Sequence, residues 1–544
     1  MGARITVLIG VFALAYGLLG FRFFDVQVSE GDLYGRQASA INIMGGRLIP
    51  RRGSIYFSDK DGAKVPAAIN KEYPVAYVVP DEVKDIEATA SFLSELIPDK
   101  SYQDWLAVVS KEGDPYEPLI EKPSEDEIST IEEKGMVGIY IGKGSDRFYP
   151  LGKDGAQVLG FASTDQPLWN GEYGIESYYN EILGGKLGEA KGDKIKDPVH
   201  GKDIQLTIDT NIQSHAEEIV ESMVANHRGV AGMAVVAEVK TGKILAMVGS
   251  PGFDPNSRGE FGVETFLNPV VQSVYEPGSI FKVITISSAL DAGKVTPETT
   301  YYDSGESTYN THTIRNWDLK GNGTVTVTNI LEKSINTGAA FVERQLGHDN
   351  FISYLEKFGF QEKTNINLPG EVVGSISPLK NEGRDINFAT ASFGQGISTT
   401  PIRLLTALSA VVNDGEMMRP YINADEKPQK MGKVVSKETS QKMIDMMVKT
   451  LERSPSAIIS GYSMGGKTGT AQVPKLGGGG YTDEVIITFV GFGPATDPKF
   501  IILVRLDKPY GRTLSYMSVV PAYKELAQFM LNYYNVPPDN IAID

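Results

Sequence analysis

The sequence predicts an α+β protein whose C-terminal part is one antiparallel sheet with helices packed on it. A mixed N-terminal segment and an apolar span precede that part. Three observations lead there. Strand-like apolar runs stand at both ends of the region 233–506, with helical runs between them. The stretch 184–202, rich in Gly, Lys and Asp, separates that region from a segment of short alternating runs. Residues 5–21 carry no charge. Strands at the two ends with helices between, rather than strict strand–helix alternation, favour α+β layering over a parallel sheet.

Taken in order, the uncharged run extends through Phe23 and Phe24 apart from Arg22, about the 20 residues needed to cross a bilayer. Arg4 and the amino terminus precede it, so the short end is expected inside and the bulk of the chain outside. Ala38-Ser39-Ala40 has the small-residue pattern of a cleavage site. It lies too far beyond the apolar run, which is itself long for a cleaved signal. The expectation is an uncleaved single-pass anchor over residues 1–24.

A length of 544 residues exceeds what one core supports and predicts two or three domains. The 52 Lys and Arg against 68 Asp and Glu give a net charge of -16, which excludes a nucleic-acid partner held by its phosphates. No cysteine is present, which removes disulfides, thiolate catalysis and Cys-ligated zinc.

Between the anchor and residue 197, Asp59-Lys60-Asp61-Gly62 suits a tight turn after Arg51-Arg52-Gly53-Ser54-Ile55, because Asp-Gly tolerates positive φ. Further on come Arg147-Phe148-Tyr149-Pro150 and Gly171-Glu172-Tyr173-Gly174-Ile175-Glu176. The run 184–202 reads as a linker, so one domain is expected over 25–197 and a second over 198–544. In the second, 233–238 and 243–248 form a hairpin about Lys240-Thr241-Gly242. Helices are expected over 281–290, over 330–346 with an interruption at Asn336-Thr337-Gly338, over 402–412 and over 522–533. Strands are expected over 485–492 and 500–506.

The chemistry that stands out is acyl transfer, which needs a nucleophile, a base, an oxyanion site and a substrate anchor. The five histidines, His200, His215, His227, His312 and His348, stand in no recognisable nucleophile–base pattern. A Ser–Lys pair is the remaining common solution. Ser-x-x-Lys occurs at Ser279–Lys282 and again at Ser377–Lys380. Only the first follows a turn, Tyr275-Glu276-Pro277-Gly278, and opens an apolar helical run. A serine there meets unpaired backbone N–H groups, and Lys282 lies one turn on along the same face. Burial and a nearby positive charge would lower the lysine's pKa so that it can act as base. Ser377 sits in a Gly/Ser/Pro-rich loop and reads as structural. Downstream follow Ser334-Ile335-Asn336 and then Lys467-Thr468-Gly469-Thr470, the latter just before a strand at Ala471-Gln472-Val473. A second Lys-Thr-Gly, at Lys240, falls upstream of both serines and is explained by the hairpin turn.

Ser-x-x-Lys, Ser-x-Asn and Lys-Thr-Gly in this order resemble the active-site signature of penicillin-binding proteins and serine β-lactamases. Arg52-Gly53-Ser54-Ile55, Gly174-Ile175-Glu176, 203–209, Leu368-Pro369-Gly370-Glu371 and Gly394-Gln395-Gly396-Ile397 resemble the class B penicillin-binding proteins, and the likeness runs from the anchor to about residue 525. The resemblance implies a transpeptidase domain of the β-lactamase-like fold on an elongated pedestal, held at the cytoplasmic (inner) membrane. It implies a peptidoglycan stem peptide ending in D-Ala-D-Ala as substrate, β-lactams as inhibitors, and no metal or other cofactor. Partners would be a glycan-polymerising synthase and other division or elongation proteins, with the septum the favoured setting.

The resemblance assigns Ser279 as nucleophile, Lys282 as its base and Ser334, beside Lys467, as a proton relay. Asn336 orients Lys282 and the substrate, and Lys467, Thr468 and Thr470 hold the terminal carboxylate. Gly469 completes that strand motif, and the N–H groups of Ser279 and Thr470 form the oxyanion site. The family's pattern is altered at Ser58-Asp59-Lys60-Asp61-Gly62, at Pro269, where Arg is usual, and at 516–521, where a Gly/Ala-rich strand end is usual. Rival readings are a β-lactamase, for which Glu371 is the nearest candidate deacylating base though Ser375 stands where Asn is usual, a β-lactam sensor, and a scaffold without catalysis. The glycines of 477–480 suit either a lip over the cleft or a plain loop.

Overall fold

The computed structural model describes residues 50–540 apart from 115, 164–168, 192–193, 381–382, 476, 478 and 512, together with scattered positions before residue 50. The expected anchor lies largely outside the described residues. Among those described, no helix is long and apolar enough to cross a membrane.

The N-terminal sheet is organised by one long strand. Strand β2 (Lys64–Val78) pairs antiparallel with β1 (Ile55–Ser58), β3 (Glu117–Glu121) and β4 (Ile139–Phe148). The β1–β2 turn is the Asp-Gly turn anticipated: Asp59 Oδ1 accepts from the N–H groups of Asp61 and Ala63, and Gly62 takes φ +81°. Strand β5 (Ile204–Asp209) adds parallel to β1. It is also stitched to the C-terminal region, since Thr207 N–H donates to Ile422 O at 2.6 Å and Ala424 N–H to Gln205 O at 2.8 Å. The 184–202 stretch is not featureless, for it holds a small hairpin of Glu189–Lys191 with Lys194–Lys196.

Three of the sequence stretches singled out above meet here. Glu176 is fully buried and accepts from Arg52 Nε at 2.6 Å and from Arg147 Nε at 2.7 Å, while Arg52 Nη2 reaches the Glu176 carbonyl at 2.9 Å. A carboxylate taken out of water is tolerated only when it is paired and hydrogen-bonded. The adjacent Gly53 is required sterically, because a Cβ there would stand 2.0 Å from Lys202 O.

The C-terminal region is built on a five-stranded antiparallel sheet, order β7-β6-β10-β9-β8. Its strands are β6 (Ala231–Glu238), β7 (Ile244–Ser250), β8 (Gly465–Pro474), β9 (Tyr481–Gly493) and β10 (Phe500–Asp507). Successive residues of each strand enter different cores, as a period of two requires. Met233 and Val235 pack on one face against α2 (Lys282–Asp291), α4 (Pro401–Val411) and α5 (Lys437–Glu452). Ala234 and Val236 pack on the other against α1 (Thr210–Asn226) and α6 (Val519–Tyr533). Covering both faces explains why these strands read as unbroken apolar runs.

The helices start where their caps stand. Asp209 Oδ1 accepts from the N–H groups of Asn211 and Ile212 at the head of α1, and Thr400 with Pro401 opens α4. Every residue of α2 from Lys282 to Leu290 is buried, so it is the central helix of the domain. Two expectations are corrected. The break in the 330–346 helix falls at 333–335, ahead of Asn336, which begins α3 (Asn336–Leu346). Residues 516–521 are no strand end but a 3₁₀ turn running into α6, with Tyr516 and Met517 exposed. Pro269 sits at the first position of a short helix capped by Asn268, where its missing N–H costs nothing.

The two regions are joined through Glu217 of α1, which is buried and accepts from Gly155 N–H at 3.0 Å and from Gln213 Nε2 at 2.8 Å. Burial, outweighing those two hydrogen bonds, pushes its carboxyl up from 4.5 to about 8. The folded protein therefore holds Glu217 protonated where the unfolded chain ionises it. The resulting stability is fully present below pH 4.5 and is lost as pH rises to about 8. Glu217→Gln keeps the accepting oxygen and is expected to raise the melting temperature at pH 8 by the equivalent of about 4 kcal/mol, with little change at pH 4.5. Thermal melts at the two pH values check this.

Candidate active site

Ser279 lies in a 3₁₀ turn, Gly278–Phe281, that runs directly into α2. Gly278 adopts φ +60°, and a Cβ on it would stand 2.7 Å from Thr470 O. A Cβ on Gly469 would stand 2.9 Å from the Ile280 side chain and 3.0 Å from Pro277 O. Each glycine therefore lets the serine turn press directly on β8, the edge strand of the sheet. A Cβ on Gly394 would meet Gly278 O at 2.3 Å, and Gly278 N–H donates to Gly394 O at 3.0 Å. The Gly-Gln-Gly stretch thus backs the same turn from behind.

Lys282 Nζ stands 2.9 Å from Ser279 Oγ, 2.7 Å from Ser334 O, 3.1 Å from Ser334 Oγ and 2.8 Å from Asn336 Oδ1. A neutral amine has two N–H donors and one lone pair. It can donate to the Ser334 carbonyl and the Asn336 amide oxygen and accept from the Ser279 hydroxyl, which satisfies all three. Its pKa agrees: burial lowers it well below the ordinary 10.5, and the positive charge of Lys467 lowers it further. Burial pushes Lys467 itself down to about 7. Lys467 Nζ lies 3.1 Å from Ser334 Oγ, so this one hydroxyl bridges the two lysines.

Ser334 reaches that position in the left-handed region, φ +57°, a conformation costly for a residue with a Cβ and held only by its surroundings. Those surroundings include Asn316, whose Oδ1 accepts from Asn336 N–H at 3.1 Å, and Asp303, which accepts from Asn316 Nδ2 at 2.9 Å and Thr337 Oγ1 at 2.7 Å. Burial alone would raise the Asp303 carboxyl, but hydrogen bonds from Asn322, Thr337 and Gly305 outweigh it and hold it below the ordinary range. Asn336 Nδ2 donates to Arg315 O at 3.0 Å, which fixes which amide atom faces Lys282. Thr468 is half-buried and Thr470 exposed on the edge strand. Substrate can approach both there.

The eight residues singled out in the sequence therefore occupy one place: Ser279, Lys282, Ser334, Asn336 and Lys467 in one hydrogen-bonded cluster, and Thr468, Gly469 and Thr470 on the strand beside it. The alternative motifs lie in other surroundings. Lys380 pairs with Glu356 at 2.8 Å, and Ser377 Oγ accepts from Ser375 Oγ at 2.9 Å. Lys240-Thr241-Gly242 forms the β6–β7 turn. No histidine is buried. Among the described residues no group of side chains suits a metal ion.

The profile of the penicillin binding protein transpeptidase domain matches residues 232–528, and that of the penicillin-binding protein dimerisation domain matches 47–206. Stage V sporulation protein D of Bacillus subtilis is 32% identical, over 94% of this chain and 83% of that one. The chain is a class B penicillin-binding protein. Similarity extends to penicillin-binding protein PbpB of Mycolicibacterium smegmatis, 31% identical over 72% of this chain and 65% of that one. It also extends to PenA of Neisseria meningitidis, named as a probable peptidoglycan D,D-transpeptidase, 29% identical over 90% and 85%. The crystal structure of penicillin binding protein 2X from Streptococcus thermophilus superposes with a TM-score of 0.75 at 25% identity, covering 90% of this chain and 81% of that one.

Two features of this penicillin-binding protein escaped sequence reasoning. One is the Asp303–Asn316 support, which carries no motif. The other is Glu276, whose carboxylate accepts from Gly396 N–H and from the Tyr481 hydroxyl, each at 3.1 Å. It ties the serine turn to the start of β9, just past the glycines of 477–480, part of which lie outside the described residues. Glu371 is fully engaged elsewhere, accepting from Thr364 N–H and Oγ1, both at 2.6 Å, and from Asn365 N–H at 3.0 Å.

The two lysine shifts predict a bell-shaped pH profile for acylation by a carboxylate-bearing β-lactam. The rate rises on the acid side as Lys282 loses its proton. It falls above about pH 7 as Lys467 loses the charge that attracts the carboxylate. Stopped-flow acylation across pH 5–9 checks it, and a rate still climbing at pH 9 would remove Lys467 from that role.

Proposed function

We propose that this penicillin-binding protein is a serine D,D-transpeptidase that cross-links peptidoglycan stem peptides and is inhibited by β-lactams. The observation that carries the reading is the seating of one buried lysine amine between the Ser279 hydroxyl, Ser334 and Asn336. Ser279 Oγ attacks the penultimate D-Ala carbonyl while its proton passes to Lys282 Nζ. The tetrahedral oxyanion is held by the N–H groups of Ser279 and Thr470. The C–N bond to the terminal D-Ala then breaks, and the Ser334 hydroxyl, between Lys282 and Lys467, passes a proton to the leaving amine. An amine of a second stem peptide attacks the ester, Ser279 is released with its proton restored, and the cross-link remains. Lys467, Thr468 and Thr470 hold the substrate's terminal carboxylate, and the free edge of β8 accepts the peptide backbone as an added strand.

We assign residues 1–24 to a cytoplasmic stub and membrane anchor, 25–197 to the pedestal and 198–544 to the catalytic domain. The bulk of the chain faces outside the inner membrane. It works with a glycan-polymerising synthase and other wall-assembly proteins, with the division septum as the favoured setting. The β-lactamase reading is disfavoured because Glu371 is enclosed by its own loop and leaves no free carboxylate for a deacylating water.

Mass spectrometry after incubation with benzylpenicillin is expected to show a stable adduct on the Ser279 peptide that Ser279→Ala abolishes. Lys282→Ala should slow acylation by about 10²–10⁴-fold. A folded protein that takes no adduct would refute the nucleophile, and rapid release of the adduct would return the lactamase reading.

A further inference from the structure

A second cleft, lined by none of the residues around Ser279, has the makings of a binding site. It lies where β2, β4 and the loop after them meet residues 255–258 of the catalytic region, and its volume is about 570 Å³. That is the size of pockets that take a ligand larger than a single ion. Among the described residues, Lys71, Lys122, Arg147 and Arg258 line it, against one carboxylate, Asp146. The protein as a whole carries a net charge of -16, so four cations around one cleft run against its overall composition.

The cations are held in place by rings. Lys71 Nζ lies 5.1 Å over Phe148, Lys122 Nζ 4.8 Å over Tyr73, and Arg258 Cζ 5.2 Å over Phe161. Ring faces fix a cation's position without neutralising it. Lys122 is paired with Asp146, whereas Lys71 and Arg258 make no ion pair among the described residues. Arg147 is already neutralised by Glu176 and its side chain is almost fully buried. Its Nε is taken by Glu176 and its Nη1 reaches Asn70 at 3.3 Å, but its Nη2 is buried with no hydrogen-bond partner. The two walls are tied together by Asn256, which accepts from Tyr149 N–H at 3.0 Å and donates to Tyr149 O at 2.9 Å.

We infer that this cleft between the N-terminal sheet and residues 255–258 binds an oligoanion bearing carboxylate or phosphate groups, held by Lys71 and Arg258. The site is separate from the acyl-transfer cluster and stands whether or not Ser279 is the nucleophile. Both anion types satisfy the same donors, and they have different sources: the acidic peptide of a wall glycopeptide, or a phosphate-linked polymer.

The test is calorimetric titration of the full chain in detergent with two probes. One is a soluble disaccharide peptide rich in carboxylates, and the other is a glycerol-phosphate oligomer. Each is titrated into protein whose catalytic cleft has first been treated with benzylpenicillin. At least one probe is expected to bind, and the one that does names the source. The double variant Lys71→Ala/Arg258→Ala should weaken binding at least ten-fold. The single charge reversal Lys71→Glu, at an exposed position, should weaken it without a change in melting temperature. Raising the salt should weaken it as well. Both variants should take up benzylpenicillin at the wild-type rate. Absence of binding by both probes, or equal affinity in wild type and Lys71→Glu, would overturn the proposal.

Discussion

The burial of two lysines beside one serine hydroxyl, with no carboxylate among the described residues to neutralise them, is the constraint on which the rest of the site depends. In water both amines would be charged, and Lys282 would be useless as a base. Taken out of water and set on either side of Ser334 Oγ, at 3.1 Å each, they cannot both hold a proton cheaply. Lys282 carries the repulsion of Lys467 on top of its burial, and it is the one that gives its proton up. The helix that carries Lys282 is buried along almost its whole length, and Lys467 projects from a strand packed against the serine turn that opens it. The enclosure that makes a large apolar core is the same enclosure that tunes the base.

That core explains how much of the molecule can be read from its residues. Strands buried on both faces announce themselves as apolar runs, and β6, β7, β9 and β10 are where those runs stand. Chemistry that lies within a few residues was equally plain, as in Ser279 with Lys282, or Lys467 through Thr470. What could not be read is whatever depends on residues far apart in the chain. The break before α3 was expected around Asn336-Thr337-Gly338. It falls at 333–335, where Ser334 takes the left-handed conformation itself. Residues 303 and 316 hold that conformation from outside the helix, and nothing local marks them. Glu276 was visible inside a turn-forming stretch, yet its link to Tyr481, some two hundred positions on, was not.

The N-terminal sheet follows a different logic. Arg52, Arg147 and Glu176 come from three separate stretches and meet as one buried ion cluster. Such a cluster contributes little net stability compared with apolar packing, but it is intolerant of misplacement, since any partner left alone is a buried charge. It therefore specifies how β1, β4 and the short helix bearing Glu176 come together. Strand β5 then hands that geometry directly to α1 through the Asp209 cap. The pedestal's shape is transmitted by backbone pairing and not by a flexible tether.

The strand order of the catalytic sheet has a consequence for biosynthesis. Its middle pair, β6 and β10, joins residue 231 to residue 507, while everything that builds the active site is strung between them. During synthesis β6 and β7 emerge first and must wait, with an unpaired edge, until nearly the whole domain has been made. Closing so long a loop adds little further entropy cost, but it delays the contact, and an open apolar edge invites pairing with the wrong chain. A nascent chain cut short before residue 500 would hold Ser279, Lys282, Ser334 and Lys467 yet lack the strand that lies between their two halves of the sheet. The catalytic groups would all be present, and there would be no enzyme.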